Sequence, residues 1–132
     1  MGQAMMTYQI STQTYTMADG VTTFQCHSGI GVGLNNPDAV QMVGIGPLPP
    51  GTYDLGPWQD GSVYGPDWAR LGPHICRLYP RPGDEMYGRD DFAIHGGNGS
   101  NPPSDSHGCI VTGPANRMTI DQSGDTVLNV IV

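Results

Sequence analysis

The sequence predicts a mainly β domain, a sandwich or partly open barrel with one or two short helices. Three observations carry that expectation. Twenty glycines and twelve prolines in 132 residues punctuate the chain too often for long helices, yet follow no collagen-like period. The apolar and aromatic residues fall in short runs rich in Thr, Tyr and Val, several alternating with period two. No repeat, linker or compositional break divides the chain, so residues 1–132 read as one domain, long enough to bury a single core. Residues 1–6 are expected to lie outside that fold.

Taken in order, TYQISTQTYTM (residues 7–17) reads as a strand. Asp19-Gly20 and VTTFQCHSG follow, and a DG pair between β-prone runs is a strong hairpin signal. The glycine-dense segment 29–46 reads as loop. PLPPGTYDLG turns into a short strand over 51–55, and WQDGSVYGPDWA reads as an exposed excursion. A strand is expected at 75–79, then a turn region, then the short strand DFAIHG and another at GCIVT. Pro114 suits the first turn of a helix running to about Gln122. DTVLNVIV closes the chain as an alternating strand.

Charge narrows the partners. The chain has no lysine, five arginines and twelve acidic residues, for a net charge of −7, which disfavours nucleic acid and anionic membrane. No run reaches the eighteen apolar residues of a membrane helix. MGQAMMTYQIST lacks a basic region followed by an apolar stretch, so no secretory signal is read. The expectation is a protein made in the cytoplasm, or one exported by a route that reads no N-terminal signal. Three cysteines cannot all pair within one chain. A Cys26–Cys76 bridge and three free thiols remain open alternatives.

The chemistry concentrates in IHGGNGSNPPSDSHGCI, residues 94–110. In an extended chain His107 and Cys109 share a face, so the imidazole can take the thiol proton and make a nucleophile near neutral pH. Gly108 and Cys109 offer backbone N–H groups for an oxyanion hole. Ser106 can orient an imidazole, and His95, ending its own strand, can close the same pocket. The loop between can shape a substrate groove. A metal reading uses His95, His107 and Cys109 with Cys76 or His74, but lacks the close ligand spacing of zinc sites. His27 and His74 read as structural. Trp58 and Trp68 fit a core edge better than a glycan groove, and Asp90-Asp91 reads as a solvated turn.

SHGCI at 106–110, preceded by IHG at 94–96, resembles the signature of L,D-transpeptidase catalytic domains, the YkuD-type family. PLPPGTYDL at 47–55 resembles that family's Pro-x-Gly-x-aromatic strand entry. The likeness is greater still to the compact type VI secretion L,D-transpeptidase effectors, through SGIGVGLNNP at 28–37, GRDDFAIHGG at 88–97 and NRMTIDQSGDTVLNV at 116–130. It spans roughly residues 8–131.

The resemblance implies Cys109 as nucleophile, His107 as its base and then acid, and His95 as a second active-site histidine. Ser106 and Gly108 would shape the site. The implied substrate is a peptidoglycan stem tetrapeptide, cut between diaminopimelate and D-Ala through a thioester, with water, an amine or a free D-amino acid as acceptor. No cofactor is implied. A cognate immunity protein, a secretion-machine carrier and action in the periplasm of a target bacterium are implied as well. One departure stands out: the larger transpeptidases place Arg where this chain has Val111. Arg89 or Arg117 could replace it, with Arg89 read first as a solvated turn residue. Gly96 and Gly97 are weaker substrate-binding candidates. The rival functions are a cell-wall peptide-binding module without turnover and the small metal-binding β-protein.

Overall fold

The computed structural model describes residues 5–69, 71–97, 103 and 105–132. Among the described residues nine strands form one sheet: β1 (Met6–Gln9), β2 (Thr14–Thr16), β3 (Thr23–Gln25), β4 (His27–Ser28), β5 (Gly51–Gln59), β6 (Ile75–Pro80), β7 (Ala93–His95), β8 (Ile110–Val111) and β9 (Val127–Ile131). The described residues also form the single turn α1 (Pro66–Ala69) and the helix α2 (Pro114–Ser123), with short 3-10 turns in the loops. The strand order is β3-β2-β1-β9-β5-β6-β7-β8-β4. The two edge strands, β3 and β4, are consecutive in the chain with only Cys26 between them. The sheet therefore curls until its edges meet, giving a nearly closed barrel of the expected mainly β class. Thr112 Oγ1, just past β8, donates to the Gln25 carbonyl at 3.0 Å and ties the edges together.

The core follows from period-two alternation. Met6, Tyr8, Tyr15, Tyr53, Leu78, Ile94, Ile110, Leu128 and Val130 project inward and are essentially excluded from solvent. Each such side chain contributes about 1.5–3 kcal/mol by leaving water. The buried Tyr53 hydroxyl donates to the Pro49 carbonyl at 2.7 Å, so its phenol costs no unpaired donor.

Three expectations need correction. The strand read over 7–17 is two antiparallel strands, β1 and β2, reversed at 10–13, where Gln13 takes a φ of 60°. The apolar alternation runs through that turn and hides it. Met6, assigned to a segment outside the fold, opens β1 and is fully buried. The strand at 51–55 extends to Gln59, because a bulge between Leu55 and Trp58 lets it pass Gly56-Pro57 and keep pairing with β6. The Asp19-Gly20 hairpin forms between β2 and β3, with Gly20 at a φ of 73° and the Asp19 carboxylate accepting from Val21 N, Thr22 N and Thr22 Oγ1. Helix α2 starts at Pro114 as expected and stops at Gly124, which adopts the left-handed conformation.

Candidate active site

Strands β7 and β8 are parallel neighbours, with Ile94 beside Ile110 and His95 beside Val111. A parallel pair cannot be joined by a tight turn and needs a crossover of about a dozen residues. The stretch from Gly96 to Cys109 supplies it, so the spacing between the two histidine motifs follows from the topology. Its central part, 98–102 and 104, where a substrate groove was expected, lies outside the described residues.

Ile94 and Ile110 point into the core, so their neighbours along each strand point away from it. Arg77 of β6 lies opposite Ala93, and Cys109, one residue before β8, falls beside Ala93 on the same outer face. Two residues further along, His95, Val111 and His27 form the next row. Cys109 and His95 are thus diagonal neighbours on one face, one strand spacing across (about 5 Å) and two residues along (about 7 Å). That separation is within the reach of an imidazole.

Cys109 is half-buried, and its Sγ lies 3.7 Å from the Asp91 carbonyl oxygen. Burial pushes the thiol up to about 11, although the Ala93 N–H and the Arg77 charge favour the thiolate. The raised value favours the neutral thiol over the thiolate near neutral pH. His95 is 2% exposed. Its Nδ1 lies 2.7 Å from the Gly96 carbonyl oxygen, which can only accept, so Nδ1 carries the proton and Nε2 holds the lone pair. Burial depresses the His95 pKa below its usual value, outweighing the Gly96 carbonyl and Asp105, which both raise it.

His107 is placed differently from the expectation. The chain bends through 107–109, with Gly108 at a φ of 134°, so the shared face of an extended chain does not apply. The His107 ring is exposed and its Nδ1 lies 3.0 Å from the Gly44 carbonyl oxygen. Ser106 does not orient an imidazole. Fully buried, its Oγ donates to the Cys109 carbonyl at 2.6 Å and accepts from Gly29 N at 3.0 Å and Gly108 N at 3.2 Å. The Gly108 N–H is thereby spent, leaving that of Cys109 as the oxyanion candidate of the pair. A second buried hydroxyl, Ser28 Oγ, donates to the Gly108 carbonyl at 3.3 Å and accepts from Leu48 N at 2.9 Å. The sequence reading missed Ser28 as a site-shaping residue; its only signal was the SG pair opening the glycine-dense segment.

Arg89 is neither a solvated turn residue nor free to take substrate. It is 6% exposed, and its guanidinium donates to the carbonyls of Val40, Gly46, Pro47 and His107. It lies against Phe92, 5.5 Å from the ring centre, and anchors the glycine-dense loop beneath the SHGC turn. Arg117 is likewise buried, donating from Nε to the His74 carbonyl at 2.9 Å and from Nη1 to the Thr112 carbonyl at 2.7 Å. Gly96 and Gly97 line a cavity of about 670 Å³, together with His27, Asp105, Val111 and Arg117. His27 Nε2 lies 2.5 Å from Asp105 Oδ1, and His74 stacks on Trp58 at 4.8 Å, both consistent with structural roles.

All three cysteines are free thiols. Cys76 belongs to the row of Ile94 and points inward, so it cannot join His95 and Cys109 around a metal. Among the described residues no three His, Cys, Asp or Glu side chains are grouped as a metal site requires.

A nearly closed sheet carrying a thiol and a buried imidazole on neighbouring parallel strands is the L,D-transpeptidase fold. The L,D-transpeptidase 1 of Mycobacterium tuberculosis matches with a TM-score of 0.57 at 15% identity, over 99% of this chain and 60% of that one. LD transpeptidase LdtMt1 in complex with imipenem matches at 0.55 and 15%, over 98% and 60%. An L,D-transpeptidase from Mycobacterium smegmatis matches at 0.50 and 14%, over 97% and 58%. The chain thus spans about three fifths of the length of these structures. No curated protein matches it. Residues 22–127 match the Tlde1 domain, and the chain belongs to that L,D-transpeptidase-like family.

Proposed function

We propose that this chain is a cysteine acyltransferase acting on peptidoglycan stem tetrapeptides, with Cys109 as nucleophile and His95 as base. The carrying observation is the diagonal placement of Cys109 and His95 on one sheet face, with His95 Nδ1 held by Gly96 O and Nε2 left to accept a proton. His95 Nε2 takes the thiol proton as sulfur attacks the carbonyl of diaminopimelate. The oxyanion forms beside the Cys109 N–H. The C–N bond to D-Ala then breaks, and the leaving amine takes the proton from His95. A thioester remains on Cys109. Water, deprotonated by His95, attacks it to give the tripeptide and regenerate the thiol; an amine in place of water gives transpeptidation or D-amino acid exchange. In this reading His107, exposed and with Nδ1 3.0 Å from the Gly44 carbonyl oxygen, takes no part in the proton transfer.

The Tlde1 match supports reading the chain as an antibacterial effector; we propose with it export through a type VI machine with a carrier, action in the periplasm of a target cell, and neutralisation by an immunity protein. The test is mass analysis after incubation with purified disaccharide-tetrapeptide. Loss of one D-Ala, abolished by Cys109→Ala, is expected. His95→Gln should lower turnover by about 10²–10⁴-fold, and His107→Gln by much less. Imipenem, seen bound to a structural neighbour, should acylate Cys109 and add one intact drug molecule to the chain mass. Unprocessed tetrapeptide with a thiol that still alkylates would refute the proposal, and the reverse order of the two histidine variants would return the base to His107.

A further inference from the structure

Four of the five arginines are described, and three of them are committed: Arg89 and Arg117 to buried carbonyls, and Arg81 to Asp54 through two hydrogen bonds. Arg77 differs. It stands in the Cys109 row, directly across β7, and its guanidinium is sandwiched among aromatic rings. Its carbon lies 5.4 Å from the Tyr64 ring centre, 5.1 Å from Trp68 and 6.0 Å from Tyr79. Nη2 donates to Asp91 Oδ1 at 3.0 Å, while the buried Nε has no partner among the described residues. The Asp91 side chain is 67% exposed, yet its backbone carbonyl is the one beside the Cys109 thiol. A carboxylate thus sits on an oriented guanidinium at the edge of the nucleophile.

We propose that Arg77 anchors the terminal carboxylate of the residue leaving from Cys109, and that Asp91 holds that place until substrate displaces it. The proposal rests on the function above and names what the leaving side of that site recognises. The ring cage fixes the guanidinium before substrate arrives, so little side-chain entropy is lost on binding. A planar fork takes a carboxylate through two hydrogen bonds, and displacing Asp91 frees the Nη2 donor for one of them. An exposed ion pair such as Arg77–Asp91 contributes little, so its exchange costs little. Two strand spacings, about 10 Å, separate the Cys109 and Arg77 backbones. An arginine side chain and the single residue beyond the scissile carbonyl together bridge that span. The arrangement selects a chain end, because an internal residue there has no carboxylate to offer. It also supplies, from β6, the cation that Val111 does not.

The experiment measures binding of disaccharide-tetrapeptide, and of its C-terminal amide, to Cys109→Ala by calorimetry. The free acid should bind at least tenfold tighter than the amide. Arg77→Gln in the same background should lose about tenfold or more for the acid and little for the amide, with Arg77→Lys between. Asp91→Asn should tighten the acid about two- to threefold by removing the competing carboxylate. Equal binding of acid and amide to Cys109→Ala, or equal losses for both in Arg77→Gln and Arg77→Lys, would overturn the anchor and leave the enzyme reading standing. Binding of neither peptide would overturn the stem-peptide reading and the anchor with it.

Discussion

Replacing Ser106 with alanine removes a single oxygen that three backbone groups share. The side chain is fully buried, and its Oγ accepts from Gly29 N and Gly108 N while donating to the Cys109 carbonyl. Two buried N–H groups lose their acceptor, each at about 1–3 kcal/mol. With partial relaxation of the turn, the expected loss is about 2–4 kcal/mol. At a urea m-value of about 2 kcal/mol/M, the unfolding midpoint should fall by about 1–2 M with unchanged slope. Thr119→Ala is the control: its hydroxyl donates to the Ala115 carbonyl from an exposed position on α2, and its loss should stay within about 0.5 kcal/mol. Urea titration followed by tryptophan fluorescence measures both. A Ser106→Ala midpoint within about 0.3 M of the parent would refute the claim that this hydroxyl holds the turn. It would also remove the reason for regarding the Gly108 N–H as spent.

Three further outcomes follow from the same geometry. Gly108→Ala should destabilise by more than about 2 kcal/mol, roughly 8 °C in a thermal melt, because a Cβ at a φ of 134° would run into the Arg89 guanidinium; at Gly20, where a Cβ meets nothing within 4 Å, the same change should cost clearly less. Iodoacetamide labelling of Cys109 should be slow at neutral pH and climb toward a midpoint of about 11; a fast, pH-independent reaction near neutrality would mean a preformed thiolate. His95, held below its usual pKa by burial, takes up protons more readily unfolded than folded, so its contribution to stability is complete above pH 6.5 and declines as pH falls below it. His95→Gln should flatten that acid-side slope in urea titrations at stepped pH.

The fold class was legible because turn-formers and period-two runs are local signals. Asp19-Gly20 fixes a hairpin and Pro114 a helix start by their own conformational preferences. The β1–β2 reversal was not legible, since its turn uses a left-handed Gln13 in place of glycine or asparagine. Cys109 and both histidines stood out in the sequence as chemistry-bearing residues at a characteristic spacing. Their relative placement did not, because the relation of Cys109 to His95 is set by the register of two strands joined by a crossover. The relation of Cys109 to His107 is set by one glycine's φ, which no residue pattern reports. Arg89 read as solvated because surface arginine is common. Only the fold shows that the carbonyls of Val40, Gly46 and Pro47 converge on it. Arg77 drew no notice, being one charge in a plausible strand, and its meaning comes from lying across β7 from the thiol.

The joining of β3 to β4 through Cys26 bears on how this chain behaves in company. A sheet of nine strands built from Thr- and Tyr-rich segments would ordinarily present two long rims, each a template for strands from other molecules. Here the rims are three and two residues long and are brought side by side by a single intervening residue, so neither offers a foreign strand enough consecutive partners to grip. A molecule with so little exposed template can pass through dilute, partly opened states and recover alone, without being captured by its own kind.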